Sequence, residues 1–436
     1  MKFYFHFKLT KATEKGIALI LSLLALSILT LIGLTMMFVS STETLINRNS
    51  KMKLSNLYAS ESAAEEARDR IKGFLNSGLL SLSDPNQVVY ITSNTSINPT
   101  TGDANSNPYY DPDYSSAITA TLVPSELGPI KFSWVKIIQK TESRAGYSLD
   151  DSGSNNDVRV FFGYDKLQPN AKASQYVNSG SRPATYTGSP VYLVTALTKD
   201  SAGYKQMIRA DISGVPQPPL NAALFSRDAI SVGSDTVFVQ GNDEDQTSLT
   251  NLNGLESQGS ISGSMTNVAG SPLPTRPNSA FSYNIDSLIK TLKPPSSREI
   301  EKVAPAISKL PDGTYVGDGL NLGRIPAEGD SSQGTFADGP LNISNSTGQG
   351  ILVVNGDLSV TGSFIYYGLI VVKGKVYFNG GSASGIEIHG AIIASSVNGD
   401  QSTLLTGNVK VLNNSYFVRK QFSSLQYSRL AYREIF

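Results

Sequence analysis

From Ile17 to Val39 the chain carries no charged residue. At about 1.5 Å of helical rise per residue this run reaches roughly 34 Å, enough to cross a hydrocarbon core of about 30 Å. The apolar core of a cleavable secretory signal is only about 7 to 15 residues long, and no A-x-A processing site follows here, so the run reads as a membrane span. Lys2, Lys8, Lys11 and Lys15 precede it, opposed by Glu14 alone. Short positive flanks stay in the cytoplasm, so the rest of the chain is expected to be exported.

Composition limits what the exported part can be. With 436 residues, 40% hydrophobic and 17% charged, there is material for one or two cores beyond the span. The chain has no cysteine, which excludes a disulfide framework, thiolate metal ligation and a thiol nucleophile. Its net charge is zero, so no global field recruits nucleic acid or anionic lipid. Frequent Gly, Tyr, Ser, Thr and Asn point to β-structure with tight turns.

Beyond the span the helical pattern continues. Leu45, Ile46, Met52, Leu57, Tyr58, Ala64, Ala67, Ile71 and Phe74 recur three and four apart, predicting one helix over 17–78, with its transmembrane half at 17–39 and Gly78 as its stop. Within it, Glu65 and Asp69 lie one turn apart and Glu66 stands four residues before Arg70. Such spacing suits a solvated face.

A basic leader over 1–16 ending in Gly16, an apolar segment opening at Ile17, and the continuation SSTETLINRNSKMKLSNLYASESAAEEAR resemble the type IV pilin class, and more narrowly the PilX-like minor pilins. The resemblance covers the first 65 or so residues and implies that a prepilin peptidase cuts after Gly16 and methylates the new amino terminus at Ile17. It also implies residence in the inner membrane, then packing of the helix among other minor and major pilins in a fibre. Major pilins carry glutamate at the fifth mature position, where it meets a neighbour's amino terminus; here that position is Leu21. A bare ammonium in hydrocarbon needs a partner, so a subunit without that carboxylate suits a terminal or initiating place.

The expected fold class is α+β: the long helix, a small antiparallel sheet domain, and a Gly-punctuated β-solenoid. Residues 79–116, rich in Ser, Asn, Pro and Asp, read as a polar loop. Alternating segments from Ile130, Val158, Pro190 and Tyr204 predict strands of a mainly β, pilin-like domain over 117–215, its sheet packed on the outer half of the helix. Val215 to Asn221, VPQPPLN, is the linker. Trp134 is expected in the core, and Tyr109, Tyr110 and Tyr114 in turns; a ligand-binding role is the alternative. Two oxygen-rich loops, Asp150 to Asp157 and Gly241 to Gln246, could ligate calcium, but they lack EF-hand spacing and serve equally as turns.

Further on, Gly350, Gly356, Gly362, Gly368, Gly374 and Gly380 recur every six residues. In the five intervals between them the second residue is apolar (Leu352, Leu358, Phe364, Ile370, Val376), as is the fourth (Val354, Val360, Tyr366, Val372, Phe378). Five short strands, each facing inward twice and closed by glycine, describe rungs of a β-solenoid over 221–421; a parallel β-helix and an antiparallel meander both fit the alternation. YNIDSLIKTL, within 282–292, predicts a helical insertion that caps or covers one side. Residues 422–436, with Phe422, Leu425 and Leu430 in helical spacing, read as a terminal cap.

Chemistry is sparse. His6 lies in the leader, and His389 reads as an outward-facing rung residue rather than a base. GDGLNLG, Gly317 to Gly323, departs from G-x-G-x-x-G, and no P-loop pattern occurs. Asp357 and Glu387 are the carboxylates a solenoid polysaccharide lyase or hydrolase would need paired in one groove. No catalytic, cofactor-binding or metal site is assigned, and no nucleic-acid partner. The expected function is that of a minor pilin exposing its solenoid for assembly, adhesion or a tip protein. The alternatives are a membrane-anchored envelope protein whose solenoid binds glycan or a partner protein and, behind it, the solenoid enzyme.

Overall fold

The computed structural model describes residues 11–81, 84, 86–94, 96–128, 132–145, 159–165, 172–177, 186–199, 203–245, 251–323, 334–381, 385–395 and 403–435. Helix α1 runs unbroken over Lys11–Asn76. Gly78, in the left-handed region, ends it by letting the amides of Ser77 and Leu80 fold back onto the carbonyls of Gly73 and Phe74. Ala63, Ala64, Ala67, Ile71 and Phe74 form a buried stripe on the outer half. No side chain from Ile17 to Val39 is buried.

That stripe is covered by a sheet of β1 (Gln87–Thr92), β2 (Thr119–Pro124), β3 (Trp134–Gln139), β4 (Val160–Asp165), β5 (Ser174–Val177), β6 (Tyr186–Lys199) and β7 (Lys205–Ser213), with one helical turn, α2 (Glu142–Ala145), after β3. Val89, Ile91, Val135, Ile137, Val194, Ala196, Ile208 and Ala210 face α1. Alternate residues, among them Val88, Tyr90, Trp134, Ile138 and Leu193, build a second core on the opposite face. The expected polar loop over 79–116 therefore needs correcting. It contains β1, and its turns fold over the second core, with Ile97, Tyr109 and Tyr114 packed into it. Runs of Asp and Asn hid QVVYIT from a compositional reading.

The acidic stretch of α1 also departs from a simple solvated face. Asp69 is exposed and Glu65 half-buried, but Glu66 is buried. Arg70 lies 3.0 Å from it, and it accepts hydrogen bonds from the Ser125 hydroxyl and the Glu126 amide. Those donors offset the cost of burying the carboxylate.

The second domain is a β-helix whose ladders are parallel, apart from a short antiparallel pairing of Ser308–Lys309 with Val316 and Tyr315. Leu341 pairs with Leu358, Leu358 with Val376, and Gly350 with Gly368, so a coil consumes three six-residue units, one per side. All ten apolar positions of the glycine-punctuated repeat lie in the interior core. The expected five short strands are redistributed over three, Leu341–Val354, Leu358–Val372 and Val376–Gly380, the first two long because strand pairing passes through the glycine corners. At one corner Gly350, Gly368 and Gly390 stack, all with positive φ. A Cβ on Gly368 would stand 2.0 Å from the Gly350 carbonyl oxygen, so only glycine lets adjacent coils approach this closely.

The chain does not enter the β-helix at an end. Ala222–Ser226 pairs with Ile392–Ala394 on one side and with the strand Asn253–Ser257 on the other. From this middle position the chain winds outward to a last coil of Ile261–Gly263, Val268–Ala269 and Thr275–Arg276. It then passes over the outside through α3 (Ile285–Leu292) to the far end, closed by α4 (Ile300–Val303). From there it winds back to Thr403–Gly407 and Val409–Leu412, whose strands pair with Ile230–Val232 and Phe238–Gln240. The two arms meet in one coil, whose third side is Ala222–Ser226.

That third side differs from the other two. Ile351, Val353, Leu369, Val371, Ala391, Ile393, Phe225 and Phe336 point outward yet are buried, under α3 and α5 (Ser415–Ser424). The helix expected within 282–292 thus covers a side, its N-terminus capped by Asn284, which accepts from the Ser287 amide. The terminal cap expected over 422–436 is corrected: α5 ends at Ser424, and Ser428–Ile435 forms an antiparallel edge strand on β7, with Tyr432 opposite Ala210. Sheet pairing, with Arg and Glu on the exposed strand, overrides the helical spacing of three apolar residues. The β-helix is accordingly an insertion between two neighbouring strands of the first sheet.

Candidate functional site

The most distinctive surface is the inner half of α1. Ile17 is 47% exposed and Leu21 59% exposed, and the apolar side chains between and beyond them stand equally free. This is the one helix among the described residues long and apolar enough to cross a membrane. Its hydroxyls are satisfied within the helix: Ser22 donates to the Leu19 carbonyl, Ser27 to Leu23, Thr30 to Ser27 and Thr35 to Ile32. A segment immersed in hydrocarbon requires that internal satisfaction. The Gly16–Ile17 bond lies within α1, not at its start, and Leu21, one turn on, leaves this stretch without a carboxylate.

Elsewhere the chemical groups are committed to structure. Trp134 is fully buried, donates from Nε1 to the Tyr109 carbonyl at 2.7 Å, and meets Tyr90 edge-on. Beneath the loop, buried Lys136 lies 2.6 Å from buried Asp111, which accepts from the Tyr90 hydroxyl at 2.8 Å. Burial, reinforced by the Asp111 carboxylate, pushes the Tyr90 phenol far above its ordinary value, so it remains a donor.

His389 does face outward from its strand, but it is not isolated. Nδ1 lies 2.8 Å from Glu244, Nε2 3.3 Å from Glu387, and the ring stacks on Tyr367 at 4.8 Å. Glu244 comes from the oxygen-rich loop that began as a calcium candidate. There Asp243 accepts from the Ser415 amide at the start of α5, and Asp245 pairs with Arg419. The loop thus fastens α5 to the β-helix. Sequence could not reveal this, because Glu244 and His389 belong to coils from different arms. Among the described residues no three His, Asp or Glu side chains converge as a metal-ligand set. The other calcium candidate, Asp150 to Asp157, lies outside the described residues.

Asp357 and Glu387 do not meet. Asp357 occupies a corner, where it accepts from the Lys375 amide, while Glu387 points outward from a different side beside His389. Gly317 to Gly323 forms part of a coil, with Gly323 packed against the Gln349 carbonyl. No protein-family model matches the chain, and no curated protein or solved structure matches it.

Proposed function

We propose that the chain is a minor pilin or pilin-like structural subunit, processed between Gly16 and Ile17 and placed at an initiating or tip position, with the β-helix as its exposed head. The observation that carries this reading is the division of α1. One unbroken helix is clad by a sheet along its outer half and left bare and apolar along its inner half. Such a helix suits both a bilayer before assembly and a bundle of similar helices afterwards. Leu21, where a carboxylate would neutralise a neighbour's amino terminus, favours a terminal position over a repeating one. The scattered positions of Asp357 and Glu387 support a structural role over catalysis.

The experiment is Gly16→Asp in the native host. Under this reading the variant accumulates in membranes with its leader attached and disappears from sheared surface fibres. Unchanged incorporation into fibres would overturn processing at Gly16, and wild-type protein that keeps its leader and is absent from fibres would favour an anchored envelope protein.

A further inference from the structure

A cleft of about 520 Å³ opens where α1, the first sheet and the α3 strap meet. Its lining includes five cationic residues, Arg68, Lys172, Lys290, Lys293 and Arg429, against one carboxylate, Glu65. Glu65 is already shared: Arg68 lies 2.8 Å from it and Arg429 3.9 Å, while Arg68 also reaches Asp69. Lys172, Lys290 and Lys293 form no ion pair among the described residues. They approach from two separate parts of the chain, the segment before β5 and the C-terminal end of the strap.

We propose that this cleft binds a compact polyanion, a ligand carrying two or more closely spaced phosphate or carboxylate groups. Three ammonium groups around one concavity, without a compensating carboxylate among the described residues, repel one another, and an anion between them removes that repulsion. The volume falls in the range of small-ligand sites, about 300 to 1,000 Å³. Phe162, Pro294 and Pro295 supply rigid walls. A lipid headgroup is the wrong source. Glu65 and Arg68 lie on the same unbroken helix as the apolar run ending at Val39, which places them roughly 40 Å beyond it at about 1.5 Å per residue. The ligand touches α1, the first sheet and the covering of the β-helix together, so binding fastens the head to the stalk. This inference stands independently of the pilin reading.

The test uses the full chain in detergent micelles at low ionic strength, titrated calorimetrically with inorganic tripolyphosphate and followed by thermal unfolding. The expected result is saturable binding at one site, weakening as salt is added, with a raised unfolding temperature. Lys172→Gln, Lys290→Gln and Lys293→Gln change exposed side chains. Combined, they are expected to weaken binding by at least about tenfold, or about 1.4 kcal/mol, and Lys290→Gln alone by a smaller factor. Lys410→Gln, on a different side of the β-helix, leaves binding unchanged. Absence of saturable binding, or wild-type affinity in Lys290→Gln and the triple variant alike, overturns the proposal.

Discussion

Leu224 lies beside Ile392 in a parallel ladder, although one residue opens the β-helix segment and the other comes near its close. This pairing joins the two arms of the insertion into a single stack, so neither arm is complete without the other. Leu224→Ala removes a fully buried side chain at the junction, at an expected cost of about 2–5 kcal/mol. Hydrogen exchange read by mass spectrometry should show protection falling together in Asn253–Ser257 and in Ile386–Ala394. Loss confined to the first arm would mean that the arms fold separately.

The glycine corner predicts a sharp contrast. Gly390→Ala would put a Cβ 1.8 Å from the Gly368 carbonyl oxygen, at a positive φ, and is expected to cost more than about 3 kcal/mol in chemical denaturation. Gly73→Ala, in α1 with nothing within 4 Å, is expected to stabilise by about 0.5–1 kcal/mol. Similar behaviour of the two variants would contradict the stacked corner.

The buried pair under the loop offers a local probe. Lys136→Met strands the buried Asp111 carboxylate, at an expected cost of about 3–5 kcal/mol. Asp111→Asn leaves the ammonium with Asp113 at 3.1 Å and is expected to cost less; the double variant costs less than the sum of the two. Lys136 sits 6.0 Å from the ring of Trp134, the chain's one tryptophan. Unfolding of this domain is therefore readable by fluorescence. Strict additivity would show that the pair is not coupled.

Acid should weaken one link between coils. Hydrogen bonds from the Ser344 hydroxyl and the Asn345 amide hold the Asp318 carboxyl below its ordinary value. A depressed carboxyl contributes stability that is fully present above its unfolded pKa and is lost as pH falls through the folded one. Denaturant midpoints measured at neutral pH and near about pH 3 should drop less for Asp318→Asn than for the wild type. An equal drop would remove Asp318 from the account.

The phase of the β-helix is written plainly in the sequence. The apolar positions after each glycine are those that reach the interior, because a period-two pleat leaves little choice of face. A further signal was also there to read. ILVV after Gly350, LIVV after Gly368 and AIIA after Gly390 are apolar throughout, the mark of a strand buried on both faces, and they identify the side that α3 and α5 cover. The meeting of the two arms was not legible, because pairing between Ala222–Ser226 and Ile392–Ala394 leaves no periodic trace. Nor was the fate of Arg429 to Ile435, whose partner strand lies on the far side of the insertion. The bare half of α1 could be read directly from hydropathy, whereas the basic cleft gathers residues from four separated segments.

The central claim concerns the amino terminus. The direct measurement is intact mass and N-terminal sequencing of the protein isolated from membranes and from sheared surface fibres. The account predicts a chain in the fibres that begins at Ile17 and carries one extra methyl group. A chain that keeps Met1 or the residues before Ile17, and is absent from fibres, would contradict it.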